Sequence, residues 1–231
     1  MPDEPVQGPR APKGEPPGSD WAAYYQSTIG REPRPLFAKG MVAVQAAGVV
    51  PGQAIEIGFG DGRETLALLE AGWRVLAIDP APAAAEVLQA QVPAHVAGRL
   101  EILSVPAEVA DLLPFDLLYA GYSLPFLSAD AFDRFFSAAR DHLRPGGILV
   151  VNFFGPRDSW AGREGMRFID IDAVRGLVDG LELLALDEED QDGNSFLGPK
   201  HWHVFDVIAR RPPGPTRIGV DPRQAPTGTV N

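Results

Sequence analysis

Between residues 54 and 209 the chain repeats one unit, a short apolar run followed by a turn and a helical pattern. The runs Ala54–Ile57, Arg74–Ile78, Leu100–Val105, Phe115–Ala120 and Ile148–Phe154 are mostly apolar on both faces, which is what a strand covered on both sides needs. Thr65–Ala71, Ala81–Gln91, Ala129–Leu143 and Ile171–Val178 read as helices, and in the third Phe132, Phe135, Phe136 and Ala139 fall on one face. That helix is expected to stop at Arg144-Pro145-Gly146-Gly147, where proline cannot continue it and glycine permits a reversal. Strands alternating with helices imply an α/β fold, a parallel sheet between two helical layers. Two strands near the end of the domain break the alternation. Leu181–Leu186 and His203–Ala209 follow each other without a helix, across a polar loop Asp187–Trp202, and are expected to pair antiparallel at one sheet edge.

Composition sets the limits around this core. With 231 residues, 45% of them hydrophobic and 22% charged, the chain can bury one core and is neither disordered throughout nor a coiled coil. No apolar run approaches the roughly 20 residues of a membrane helix, and the first residues lack the apolar stretch of a secretory signal, so a cytoplasmic protein without a membrane partner is expected. The absence of cysteine removes disulfides and thiolate chemistry, and no His/Asp/Glu cluster has the spacing of a metal site. A net charge of -11 repels phosphate backbones and argues against nucleic acid. Of 23 prolines, six fall in residues 1–19 and five in 212–231; both segments read as disordered Pro/Gly-rich tails around a domain at 20–211. Nothing in the sequence speaks to oligomeric state.

Glu56-Ile57-Gly58-Phe59-Gly60-Asp61-Gly62-Arg63 is the most informative local segment. Gly58, Gly60 and Gly62 lie between a strand and a helix, where backbone can approach a ligand closely. The dinucleotide pattern Gly-x-Gly-x-x-Gly would need glycine where Arg63 stands. A Glu56 carboxylate at the strand end would repel a pyrophosphate on the helix N-terminus and favour a cationic ligand. S-adenosylmethionine, with its sulfonium and ammonium groups, is such a ligand. Asp79 ends the second strand, where it can accept hydrogen bonds from both hydroxyls of an adenosine ribose. The reading requires the crevice after the first strand to be free of bulky side chains.

These segments, together with Leu143-Arg144-Pro145-Gly146-Gly147, resemble the class I S-adenosylmethionine-dependent methyltransferases from about Trp21 to Arg211. Ser123-Leu124-Pro125-Phe126, Phe154–Trp160 and Pro199–Phe205 are similar, more narrowly, to a bacterial branch of small methyltransferases labelled tellurite-resistance-like. The resemblance implies a Rossmann-like three-layer sandwich with a mostly parallel seven-stranded sheet and an antiparallel last strand. It implies S-adenosyl-L-methionine as cofactor, with Glu56, Gly58, Gly60 and Gly62 in its loop and Asp79 at the ribose. Pro80 would lie beneath the adenine, Ala107 and Glu108 at its edge, and Gly121 and Tyr122 beside the methionine part and the transferred methyl. In many relatives an N-terminal helix covers the cofactor, so Arg31 or Arg34 would meet its carboxylate. Plainer readings stand beside these: Glu108 as a solvated acid at a helix start, Tyr122 as core packing, the two arginines as exposed charges.

Ligands of parallel α/β sheets bind at the carboxyl ends of the strands, which brings Phe154, Arg157 and Trp160 to that rim. The connection into the last strand brings Lys200, His201 and Trp202 over the same place. The aromatic residues there point to a partly apolar small-molecule acceptor, with Arg157 and Lys200 available for an anionic group. One of His201 and His203 is expected to face the pocket; His201 is the candidate to take a proton from the acceptor, or else hydrogen bonds across the hairpin. Three functions fit: methyl transfer to a small molecule, NAD-dependent oxidation or reduction (disfavoured by Arg63 and Glu56), and cofactor binding without catalysis.

Overall fold

The computed structural model describes residues 21–214. The expected tail 1–19 lies outside the described residues, and so does the expected C-terminal tail beyond Gly214. Seven strands form one sheet: β1 (Gln53–Ile57), β2 (Arg74–Ile78), β3 (Leu100–Leu103), β4 (Phe115–Ala120), β5 (Leu143–Phe154), β6 (Glu182–Ser195) and β7 (Gly198–Arg210). Their order is β3-β2-β1-β4-β5-β7-β6, with β1 to β5 parallel and β7 antiparallel to both of its neighbours. The seven helices are α1 (Trp21–Thr28), α2 (Pro35–Ala46), α3 (Arg63–Glu70), α4 (Pro82–Gln91), α5 (Ala94–Ala97), α6 (Ala129–His142) and α7 (Ile171–Leu177).

Two apolar layers hold the sheet. On one face Phe132, Phe135 and Phe136 of α6 and Val174 of α7 bury against Leu149, Val151 and Phe153. On the other, Leu36 and Phe37 of α2, Leu68 and Leu69 of α3 and Leu88 of α4 cover Ala54, Val75, Leu117 and Val150. Ser128 starts α6 by accepting a 3.4 Å hydrogen bond from the Ala131 N–H, and Asp170 starts α7 by accepting one of 2.8 Å from Ala173. Among the described residues no helix is long and apolar enough to cross a membrane.

The structure departs from the sequence reading in two places. First, Arg144–Gly147 is a bulge inside β5, not a turn before it: the register passes from Phe115↔Leu143 to Leu117↔Ile148. Proline ends α6 as expected, but Gly146, at φ +85°, lets the chain bow out and pair with the backbone of Arg211, whose guanidinium donates to the Leu143 carbonyl at 2.6 Å. Second, the polar loop Asp187–Trp202 is strand. Pairing is continuous from Asp187↔Asp206 to Ser195↔Gly198, closed by Phe196-Leu197. The carboxylates of β6 are tolerated because the strand lies at the sheet edge and a charge there finds solvent or a cation. Since Phe154 pairs with Val204, residues Gly198–His203 project past the end of β5, and the hairpin overhangs the carboxyl ends of the parallel strands.

Candidate functional site

Where β1 ends, three glycines take the left-handed conformation that side chains avoid: Gly58 at φ +69°, Gly60 at +53° and Gly62 at +78°. This winding starts α3 and turns the Gly60 N–H toward Asp79 at the end of β2. Asp79 accepts from Gly60 N at 3.1 Å and from Ala81 N at 2.9 Å, so one carboxylate ties the loop to the start of α4. It is 3% exposed, and burial pushes its carboxyl above the usual range. Pro80 follows, exposed, at the entry to α4. Across the sheet, Ala107 is buried in a short 3-10 turn, and one carboxylate oxygen of the neighbouring Glu108 is buried with no partner among the described residues. At the end of β4, Gly121 leads into Tyr122, held at φ +57° while its N–H donates to Asn152 Oδ1 at 2.8 Å.

The electrostatic role expected of Glu56 is not what the structure gives. Its side chain lies beneath α3, 1% exposed, and accepts a hydrogen bond from the Thr65 hydroxyl. Burial, reinforced by the nearby Glu64 charge, pushes its carboxyl well above the carboxylate range, and its place beneath α3 keeps it from facing the crevice. The argument it supplied against a pyrophosphate lapses. Arg31 does not face the crevice either: it binds Glu64 through two bonds of 2.7 and 2.5 Å and Asp61 at 3.0 Å. Arg34 does reach the rim. Its guanidinium donates to the Tyr24 hydroxyl at 2.9 Å and lies 5.0 Å from the centre of the Tyr122 ring.

The crevice is not empty of bulky side chains. Tyr25 of α1 lies on the glycine loop, so that a Cβ on Gly60 would stand 3.3 Å from its ring, and its hydroxyl hydrogen bonds Asp79. Trp21 meets Phe126 edge-on at 5.4 Å, and Tyr24 meets Phe196 of the hairpin tip at the same distance. The filling side chain belongs to a helix laid across the site; the walls themselves keep their glycines.

On the hairpin side Phe154, Trp160 and Trp202 surround the Lys200 ammonium, at 4.9, 4.5 and 3.9 Å from its nitrogen, and Asp158 binds it, both side chains fully buried. Lys200 is therefore committed to Asp158 and is not free for an anionic substrate group. His201 and His203, two residues apart in one strand, share a face, and it is the face turned away from the aromatic cluster. His201 binds Asp190 and Asp192, each at 2.8 Å, and His203 binds Glu188 at 2.9 Å and accepts from the Arg157 N–H. The expectation of a histidine in the pocket fails for this reason. Arg157 is also outside, bridging Glu188 at 2.5 Å and Asp190 at 2.7 Å. Glu188, Asp190 and His203 do bring ligand atoms within 4.8 Å of one another, a cluster the sequence reading missed, but the Arg157 guanidinium fills the position a cation would take. The roles of Asp158 and Tyr25 were also missed: neither belongs to a local pattern, and both act through partners distant in sequence.

A methyltransferase-domain family profile matches residues 55–149. Among curated proteins none matches the chain by sequence. Among solved structures, TehB from Haemophilus influenzae is similar at 13% identity and TM-score 0.65, over 83% of this chain and 67% of its own. The N-methyltransferase NodS from Bradyrhizobium japonicum is similar at 15% and 0.60, over 84% and 100%. The glycopeptide N-methyltransferase MtfA is similar at 20% and 0.55, over 76% and 96%. These likenesses establish the fold; the family profile falls on the segment that carries the left-handed glycines, Asp79 and the end of β4. Over residues 55–149 the chain matches a methyltransferase domain, set in the fold that these methyltransferases share.

Proposed function

We propose that the protein transfers a methyl group to a small-molecule acceptor at the rim between the glycine loop and the β6–β7 hairpin. The observation that carries this is the junction of the β1 and β2 ends, three left-handed glycines bonded to a buried Asp79, a cradle that side chains at 58 and 62 would fill against Ser123 and Leu88. The buried, unpartnered oxygens of Glu108 and Ser123 fit a site built for a polar ligand. S-adenosylmethionine, when bound, supplies a methyl group on a cationic sulfur that departs as a neutral thioether.

The residues of the chain bind and orient. Asp79 accepts the ribose hydroxyls once Tyr25 leaves it, Ala107 and Glu108 border the adenine, and Arg34 meets the carboxylate of the amino-acid end. Tyr122, Phe154, Trp160 and Trp202 wall the acceptor and exclude water. Burial pushes the Tyr122 phenol up to about 12, so it holds its proton and can donate a hydrogen bond, not serve as a base. With both histidines on the side of the hairpin away from the aromatic cluster, the acceptor is one that needs no base here: an amine with its lone pair free, a thiolate or an oxyanion. Alignment then supplies the rate, on the order of 7–11 kcal/mol in well-oriented cases. The aromatic rim, the acidic composition and the N-methyltransferases among the similar structures support a small acceptor over a nucleic acid. Residues 20–211 are the catalytic unit in this reading, in a cytoplasmic setting.

Titration calorimetry with S-adenosylhomocysteine, followed by an acceptor screen for its release from S-adenosylmethionine, tests the proposal. Asp79→Ala is expected to weaken binding by about 1–3 kcal/mol. Unchanged affinity in a folded variant removes Asp79 from the ribose site, and binding without turnover on any acceptor leaves a cofactor-binding protein.

A further inference from the structure

One polar group of the central sheet has no task in that mechanism. Tyr119 of β4 is 3% exposed and meets Phe37 of α2 edge-on at 5.2 Å. Its hydroxyl has no hydrogen-bond partner among the described residues. It reaches along the strand toward the rim and takes the space that a side chain at 121 would need, which is why glycine stands there. Tyr119 is the register partner of Glu56 in β1, so the hydroxyl lies where the ends of β1 and β4 meet. Ser123 Oγ, also buried and unpartnered, is at the same junction, against Gly58. A phenylalanine would pack on Phe37 equally well without an unsatisfied hydroxyl, so the oxygen calls for a ligand.

Resting on the cofactor reading above, we propose that Tyr119 binds the amino-acid end of S-adenosylmethionine, its hydroxyl oxygen accepting a hydrogen bond from the α-ammonium group. The ionisable groups whose charges reach the hydroxyl are Glu64, Arg34, Glu56 and Arg31. Arg31 is spent on Glu64 and Asp61, and Arg34 stands over Tyr122, placed for the carboxylate. Burial, and next to it the Glu64 charge, pushes the Tyr119 phenol well above its ordinary value, which keeps it a neutral acceptor.

The test compares wild type with Tyr119→Phe by calorimetry, using S-adenosylhomocysteine, its decarboxylated analogue, which keeps the ammonium, and methylthioadenosine, which lacks the whole amino-acid end. The variant should melt no lower than wild type, bind the first two ligands about tenfold more weakly, and bind methylthioadenosine within about twofold. Equal weakening of all three overturns the proposal, as does an unchanged affinity for S-adenosylhomocysteine. Weakening for S-adenosylhomocysteine alone moves the contact to the carboxylate and overturns it too. A wild type that binds none of the three overturns the cofactor reading itself, a failure distinct from the others.

Discussion

The two halves of the rim are held by different means. On the glycine-loop side the fixed elements are backbone: left-handed residues at 58, 60 and 62, and a carboxylate bonded to the N–H groups of Gly60 and Ala81. On the hairpin side they are side chains far apart in sequence, Lys200 with Asp158, His203 with Glu188, and Arg157 with Glu188 and Asp190. A backbone device tolerates changes around it and fails when its own residue changes. The buried pair of Lys200 with Asp158 fails when either partner is lost, because the survivor stays buried and uncompensated.

The largest expected effect follows from that difference. Asp158→Ala strands the Lys200 ammonium among Phe154, Trp160 and Trp202, and should lower unfolding free energy by about 3–5 kcal/mol in urea titration. Adding Lys200→Met should recover most of the loss, since a neutral side chain of similar length suits an aromatic box. If Asp158→Ala stays within about 1 kcal/mol of wild type, the hairpin half is held by its strand pairing and the contrast with the glycine half dissolves.

The same contrast explains what could be read before the structure. The parallel sheet, its reversed last strand and the Gly58–Asp79 constellation were legible because each demand is local: glycine where φ is positive, apolar runs where both faces are covered, an acid at a strand end. The hairpin arm was not, because Asp187, Glu188, Glu189, Asp190 and Asp192 read as a polar loop. The edge position, with Lys39, Arg157, His201 and His203 brought in by other segments, makes a strand of them acceptable. Glu56 shows the converse error. Its position at the end of β1 was correct, but its charge was inferred from residue type, and burial beneath α3 disfavours that charge and turns it away from the crevice.

Helix α1 spans both halves, with Tyr25 on Asp79 and Tyr24 against Phe196, and so offers a smaller test. A Tyr25 hydroxyl that occupies the ribose acid competes with the cofactor. Tyr25→Phe should therefore bind S-adenosylhomocysteine about three- to tenfold more tightly, the worth of roughly one hydrogen bond to a carboxylate. Weaker binding instead would mean that Tyr25 packs onto the bound cofactor, making α1 part of the finished site.

The smallest effect belongs to the outer face of the hairpin. Hydrogen bonds to Asp192 first, then to Asp190, raise His201 above its ordinary 6.5. Those bonds exist only in the folded arm, so their contribution is complete below pH 6.5 and is lost as pH rises through the raised value. Melting temperature should fall in part as pH rises above 6.5, less steeply at high salt because the pairs are exposed. His201→Gln should remove that part of the slope and leave S-adenosylhomocysteine affinity unchanged. A slope that survives the substitution would come from other groups. A loss of affinity would instead couple the charged face of the arm to the glycine half, which the geometry keeps apart: His201 turns outward from β7 while Trp202 turns toward Tyr122.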